Sequence, residues 1–191
     1  PSENIQGYYK KYNKFKKSAE MAELQIKAAT EELDYLQSVL TNIKNAESYE
    51  EIEEIKRELI DTGYTRFKKE DKKKFKPSKP IHFIASNGEH IYIGKNNIQN
   101  DFLTLKFADK KDLWLHTKNI PGSHVIIKAA GEISKETIEE AAILAAYYSK
   151  GKDSTKVPVD YTEVRNVKKP SGAKPGMVIY YTNKTIYVNP E

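Results

Sequence analysis

The fold is decided by residues 112–127, DLWLHTKNIPGSHVII, which hold the only tryptophan of the chain and two of its four histidines. Polar and apolar side chains alternate in the first five residues, which is the period of a β-strand. Leu113 and Leu115 therefore point to a core. The opposite face carries a carboxylate, an indole and an imidazole, those of Asp112, Trp114 and His116.

The second half of this stretch predicts a turn and another strand. Pro121-Gly122 is a turn pair, and Ser123 to Ile127 are rich in β-branched residues. Two short strands joined at this turn would bring His116 and His124 close to the same end of the sheet. The stretch thus predicts an antiparallel strand pair with both histidines at one end.

The residues before this pair predict a long helix. Apolar and small side chains recur at alternating spacings of three and four from Ile5 to Ile43, an unbroken heptad seam that requires a partner helix. A capping box at 48–51 opens a second helix that ends at Gly63, with Ile52, Ile55 and Leu59 turned inward. That short helix can cover only one end of the seam. The rest must pack on a segment absent from this chain or on a second copy.

Charge is distributed unevenly along the 191 residues. Residues 1–63 carry 9 basic and 13 acidic side chains, whereas residues 64–191 carry 23 and 14. A basic C-terminal part favours a polyanionic partner, nucleic acid first, although a merely solubilising surface also fits. The chain has no cysteine, which excludes disulfides and thiolate metal sites. It has no apolar run of membrane-spanning length, so we expect a soluble protein.

These patterns predict an α+β fold, in which a long coiled-coil arm precedes a mainly antiparallel sheet with two helices. We divide the chain into an arm with a return helix (1–63), a basic linker (64–79) and the α+β domain (80–191). Further elements are predicted in that domain. They are a hairpin at Asn87-Gly88, helices at 97–108 and 134–151, an edge or bulged strand at 157–161 because of Pro158, and a hairpin joining 177–181 to 185–188.

No sequence motif for nucleotide hydrolysis, dinucleotide binding, metalloprotease or serine hydrolase chemistry is present. Asp112, His116 and His124 do not have zinc-site spacing and lack a companion nucleophile, so we expect neither an enzyme nor a bound metal or cofactor. Two interpretations of Trp114 stay open. It stacks on bases from an exposed sheet face, or it fills a second core beneath a covering helix.

The motifs DLWLH, PGSHV and VDYTEVRNVKKPSGAKPGMVIY resemble the NFACT-R domain, and the two preceding helices resemble part of the coiled coil in the same proteins. The family includes bacterial RqcH and eukaryotic NEMF, and its bacterial members are also labelled fibronectin-binding protein A-like. The resemblance covers essentially the whole chain. It implies a C-terminal fragment of a cytoplasmic, RNA-binding factor of ribosome-associated quality control.

Several expectations follow from this resemblance. The factor rescues stalled large ribosomal subunits and supports template-free tailing of nascent chains, and this chain contacts tRNA, ribosomal RNA or both. The alternative is a fibronectin-binding adhesin at the cell surface. Independently of the resemblance, the unpaired seam from Ile5 to Ile43 predicts self-association through the arm. The expected RNA contacts are Asp112, Trp114, His116, Ser123, His124, Arg165, Lys168, Lys169 and Lys174.

Overall fold

The computed structural model describes residues 2–66 and 77–190, so residues 67–76 of the predicted basic linker lie outside the described residues. The chain divides into two compact units, one ending at Leu36 and the other beginning at Gln37. The fold is α+β, as predicted, with a long N-terminal helix followed by an antiparallel sheet and further helices.

Helix α1, Ser2–Asn45, confirms the long helix that the heptad pattern predicts. In the first unit the seam side chains are exposed to solvent, with exposed fractions of 62% for Tyr12, 65% for Ile26 and 54% for Leu33. The stripe is therefore apolar and open along this unit.

Helix α2, Tyr49–Asp61, begins and ends as its sequence predicts. Ser48 caps the N-terminus by accepting a hydrogen bond from the Glu51 amide at 3.3 Å, and the Glu51 carboxylate accepts from the Glu47 amide at 2.8 Å. Gly63 has φ 84°, which favours glycine, and ends the helix.

The face that α2 buries matches the predicted one only in part: Ile55 is buried as predicted, and Leu59 is partly buried. Ile52 is 39% exposed, and the buried residues are Glu51, Glu54, Ile55 and Glu58. Nor does α2 cover the end of the seam, because Leu40 remains 51% exposed. Hydrophobic spacing failed here because the buried face of α2 is mainly acidic and contacts polar side chains rather than a core.

The main sheet has six strands. They are β1 Ile81–Ile84, β2 His90–Ile93, β3 Leu113–Thr117, β4 Val125–Ile127, β5 Val157–Glu163 and β8 Lys184–Val188. Their order in the sheet is β1-β2-β4-β3-β5-β8, and every neighbouring pair is antiparallel. Strands β6, Val167–Lys168, and β7, Ile179–Tyr180, form a separate pair. Helix α3, Asn97–Phe102, continues into a π-helical turn, Leu103–Phe107, and helix α4 is Lys135–Tyr147.

Helix α4 packs on one face of the sheet, as its alanines predict. Ala141, Ala142, Ala145 and Ala146 are fully buried in a cluster that includes Leu115. Ser134 caps the helix as predicted, accepting from the Thr137 amide at 3.1 Å. This first core fixes one face of β3 and leaves the face of Trp114 for other elements.

Two predicted strand placements are wrong. Strand β5 lies between β3 and β8 and is not an edge. Pro158 is tolerated because it lies one residue beyond the β3–β5 ladder, which ends at Val159, and its carbonyl, on the side of β3, accepts from the Lys118 amide at 2.9 Å. The N–H that proline lacks would lie on that same side, outside the ladder. The predicted C-terminal hairpin also does not form. Strand β7 pairs with β6, while β8 pairs with β5, so consecutive segments join different sheets.

Candidate nucleic-acid interface

Trp114 is completely buried, so the expectation of an exposed, base-stacking indole is wrong. It lies in a second core with Leu103, Ile126, Val164 and Val167. The cover consists of the π-helical turn and the segment 164–180, which pack on the sheet face opposite α4. The other interpretation, a second core, is the one that the structure supports.

His116 and His124 meet at one end of the sheet as predicted, with ring centroids 5.5 Å apart. His124 is 2% exposed, and its Nδ1 shares a hydrogen bond of 2.8 Å with the Thr104 hydroxyl. Burial lowers the pKa of His116 to about 4 and holds the pKa of His124 well below its ordinary value. Both rings are therefore neutral at pH 7 and offer no positive charge to a phosphate.

Asp112 and Ser123, two other expected contacts, are also buried. The Asp112 carboxylate accepts from the Ala129 amide at 3.0 Å and the Asp109 amide at 2.8 Å, and it pairs with Lys128 at 2.6 Å. It therefore fixes the chain around β3 and β4. A carboxylate bound in this way has an internal role and does not face a ligand.

The expected basic contacts lie on the surface above the second core. Lys168 is exposed, and so is Arg165, which forms an ion pair with Glu163. Lys169 binds Asp101 and also donates to the Lys174 carbonyl at 3.0 Å. The Lys174 ammonium lies 4.5 Å from the centre of the Tyr64 ring. The structure thus brings Lys169 and Lys174 together beside Lys168, whereas Arg165 pairs with Glu163 and the side chains of DLWLH are separated from these lysines by burial or partial burial.

The basic loop is defined here as residues 168–176, and its end packs closely against α3. Gly176 has φ 77°, and a Cβ atom at this position would lie 2.5 Å from the Asn97 side-chain oxygen. Its amide donates to Asp101 at 3.1 Å. Glycine is required here both by the backbone angle and by the close approach, so this end of the loop is fixed against α3.

Sequence reasoning missed a row of aromatic rings on the same sheet face as Trp114. The row runs through five side chains, Phe102, Phe107, Tyr92, His82 and His90. Alternation in β1 and β2 could have found three of them, because His82, His90 and Tyr92 point to the side opposite the core residues Ile91 and Ile93.

A buried polar junction between α2 and α3 was missed as well. The Glu54 carboxylate accepts hydrogen bonds from Asn96, from Gln99 at 2.9 Å and from the Ser78 amide. Beside it, Lys95 pairs with Glu51 at 2.6 Å at the edge of a pocket of about 200 Å³. These contacts hold the start of α3, and with it Asp101 and Phe102, against α2.

No cluster of three or more metal-binding side chains occurs within residues 2–66 and 77–190. In the same ranges no helix is both long and apolar enough to cross a membrane.

Comparison with known proteins gives consistent matches along the chain. Residues 1–78 match the family described as NFACT N-terminal and middle domains, and residues 79–182 match the NFACT protein RNA binding domain. The whole chain is 47% identical to part of the Rqc2 homolog RqcH of Bacillus subtilis and 44% identical to part of that of Streptococcus suis. It spans 34% of the length of each of these relatives.

A solved structure also matches the chain over its full length. It is the C-terminal part of the fibronectin/fibrinogen-binding protein from Streptococcus suis, with a TM-score of 0.90 and 44% sequence identity. The match covers 76% of that chain.

Proposed function

This chain belongs to the NFACT protein RNA-binding domain family, and from that premise we propose that it binds RNA as a non-enzymatic module of a ribosome-associated quality control factor. The observation that carries the proposal is the basic loop, which Asp101 of α3 holds near both of its ends within the family-matched domain. Family membership indicates RNA as the ligand, and the positive charge of the basic loop complements the negative charge of RNA phosphates.

The direct contacts are proposed to be cationic. Lys168 and Arg165 are exposed, and Lys169 and Lys174 lie within the basic loop. Residues 64–191 carry nine more basic than acidic side chains, which adds long-range attraction for a phosphate backbone. The other expected residues then fix the shape of the surface from the interior. They are the buried Asp112, Trp114, Ser123 and His124 and the partly buried His116.

We further propose that the RNA is tRNA, ribosomal RNA of the large subunit, or both. The complete factor would rescue stalled large subunits in the cytoplasm and support template-free tailing of the nascent chain. The division of labour follows the predicted segments. Residues 1–63 form an arm, residues 64–79 a basic connection, and residues 80–191 the RNA-binding domain.

The test is the salt dependence of tRNA binding by the 191-residue chain. Each phosphate contact lowers the slope of log K against log salt by about 0.7 to 0.9, so several contacts give a steep loss of affinity between about 50 and 200 mM salt. Lys168→Ala should make this negative slope shallower by about the contribution of one phosphate contact. Lys135→Ala, an exposed lysine at the start of α4 on the opposite sheet face, is the matched control and should not.

The proposal fails if tRNA does not bind, or if tRNA and heparin bind equally and Lys168→Ala and Lys135→Ala have the same effect. That outcome would leave only nonspecific charge attraction.

Fibronectin binding is the second candidate, because the matched Streptococcus suis protein is described as fibronectin/fibrinogen-binding. Specific fibronectin binding should persist at physiological salt and should be insensitive to Lys168→Ala. Surface plasmon resonance with immobilised fibronectin, in parallel with tRNA, distinguishes the two candidates.

A further inference from the structure

Five aromatic rings form a continuous row, here called the aromatic ladder, across one end of the Trp114 face. Neighbouring centroids are 6.1 Å apart for Phe102 and Phe107, 4.7 Å for Phe107 and Tyr92, 4.6 Å for Tyr92 and His82, and 5.0 Å for His82 and His90. His82 stacks on Tyr92 with only 10° between the ring planes. The ladder is thus partly a parallel stack and not a random cluster of rings.

Both ends of the ladder reach solvent. Phe102 is 44% exposed at one end, and His82 and His90 are exposed at the other, on the edge strand β1 and its neighbour β2. Tyr92 and Phe107, in the middle, are partly buried against the second core. The exposed rings therefore stand on a rigid base, and stacking another ring on them requires little further ordering of the protein.

The two histidines at the edge also present polar atoms. His82 Nε2 and His90 Nδ1 lie 2.7 Å apart and share a hydrogen bond, so one nitrogen donates and the other accepts. The remaining ring nitrogens are available to hydrogen-bond the edge of a flat heterocycle, which an aliphatic patch could not do.

The ladder and the basic loop are mechanically joined at one point in α3. Asp101 binds the loop through Lys169 and Gly176, and the next residue, Phe102, begins the ladder. Val178 and Tyr180, just beyond the loop, pack in the same second core as Tyr92 and Phe107. The basic loop and the aromatic ladder are therefore held at a fixed distance from each other.

We propose that the aromatic ladder is a stacking site for unpaired nucleobases of a single-stranded RNA segment whose phosphates lie along the basic loop. This inference rests on the proposed RNA-binding function and adds the form of RNA that the site selects. Aromatic rings beside a basic strip are the usual means of binding single-stranded nucleic acid, because every base has a face to stack while a duplex hides those faces. Lys79, exposed two residues before β1, adds positive charge at the histidine end.

The experiment compares single-stranded and duplex RNA of the same length, about 10 nucleotides, by fluorescence anisotropy at fixed salt. Phe102→Ala and His82→Ala, combined in the 191-residue chain, should weaken single-strand binding by at least about 5- to 100-fold, which is the loss expected for a single stacked base. Duplex binding and the salt slope should stay unchanged. Tyr187→Ala, 68% exposed on the opposite edge strand β8, is the matched control and should bind as the wild type.

Two further substitutions of His82 keep the test decisive if the alanine variant is less stable than the wild type. His82→Tyr retains a flat ring and should retain affinity, whereas His82→Leu retains bulk without an aromatic face and should lose it. Thermal unfolding of each variant identifies any loss of affinity that comes from loss of structure.

The two proposals fail in different ways. If the wild type binds no RNA, the proposed function is wrong. If the wild type binds RNA with a steep salt slope but the Phe102 and His82 variants bind equally well, the ladder does not stack on bases and is better suited to a protein partner. Equal losses for single-stranded and duplex RNA would also overturn the inference.

Discussion

Asp101 and Lys169, 68 residues apart in sequence, form an ion pair that ties the basic loop to helix α3. The other oxygen of the same carboxylate accepts from the Gly176 amide at 3.1 Å. One acidic side chain therefore holds the loop near both of its ends. This structural role explains why an acidic side chain lies at the centre of a surface that is proposed to bind a polyanion.

Asp101→Asn tests whether the order of the loop matters more than its charge. Removal of a negative charge beside RNA should by itself strengthen binding. We expect the opposite, a three- to tenfold loss or about 1 kcal/mol, because asparagine keeps only one acceptor oxygen and cannot hold Lys169 and Gly176 on separate oxygens as Asp101 does. Asp153→Asn, an exposed carboxylate beyond α4, is the control and should not weaken tRNA binding. Stronger binding by Asp101→Asn would show that charge alone governs the site.

Trp114→Ala should destabilise the domain because the indole is completely buried. We expect a loss of about 3–5 kcal/mol in the free energy of unfolding, comparable to the 2–5 kcal/mol expected for Leu115→Ala on the other face. Urea denaturation followed by circular dichroism measures both. Tyr187→Ala, which removes an exposed ring, should change the stability by less than about 0.5 kcal/mol. A stable Trp114→Ala variant would mean that the second core contributes little.

Trp114 also shows how far the sequence predicts the site. Alternation in β3 correctly places Trp114 and Leu115 on opposite faces, because the side-chain period of a strand is a local property. Whether the second face is covered depends on residues 103–107 and 164–180, which are distant in sequence. The cover consists of a π-helical turn and strands of two residues, too short to show a periodic pattern.

Helix α3 shows a second physical limit. Its apolar side, Ile98, Phe102 and Leu105, is more than 40% exposed, whereas Asn97 and Asn100 are buried. Hydrophobic spacing assigns burial to apolar side chains. It cannot detect a face that is buried through hydrogen bonds to another helix, as between Asn97 and Glu58 at 2.9 Å.

Acid should destabilise the domain through His116. Burial lowers its pKa to about 4 in the folded protein, below its ordinary value of 6.5. Between these pH values the unfolded chain binds more protons, so the free energy of unfolding falls as the pH decreases from 6.5 towards 4, and this group has no effect above 6.5. The fall in unfolding free energy cannot exceed about 1.4 kcal/mol per pH unit. We expect a smaller value because the His116 ring is partly exposed to solvent.

His116→Gln measures this contribution. The variant should show a smaller difference in unfolding free energy between pH 7 and pH 5 than the wild type, since glutamine does not titrate in this range. Equal differences for both proteins would indicate that the His116 environment does not disfavour its protonated form.

The exposed heptad seam should make the isolated chain associate. Ile26→Lys places a charge on the seam, whereas Leu24→Lys makes the same kind of change at a similarly exposed position outside it; the exposed fractions are 65% and 62%. Light scattering should show an oligomer for the wild type and Leu24→Lys, and a shift to monomer for Ile26→Lys. A monomeric wild type at high concentration would contradict self-association through the arm.

The central claim, that the surface above the second core binds RNA, is tested most directly by photo-cross-linking of bound RNA followed by mass spectrometry of the peptides. We expect cross-linked nucleotides at the basic loop, residues 168–176, and on the exposed rings of His82, His90 and Phe102. Exclusive cross-linking to the opposite surface, at Lys135 or at Lys152 beyond α4, would contradict the account.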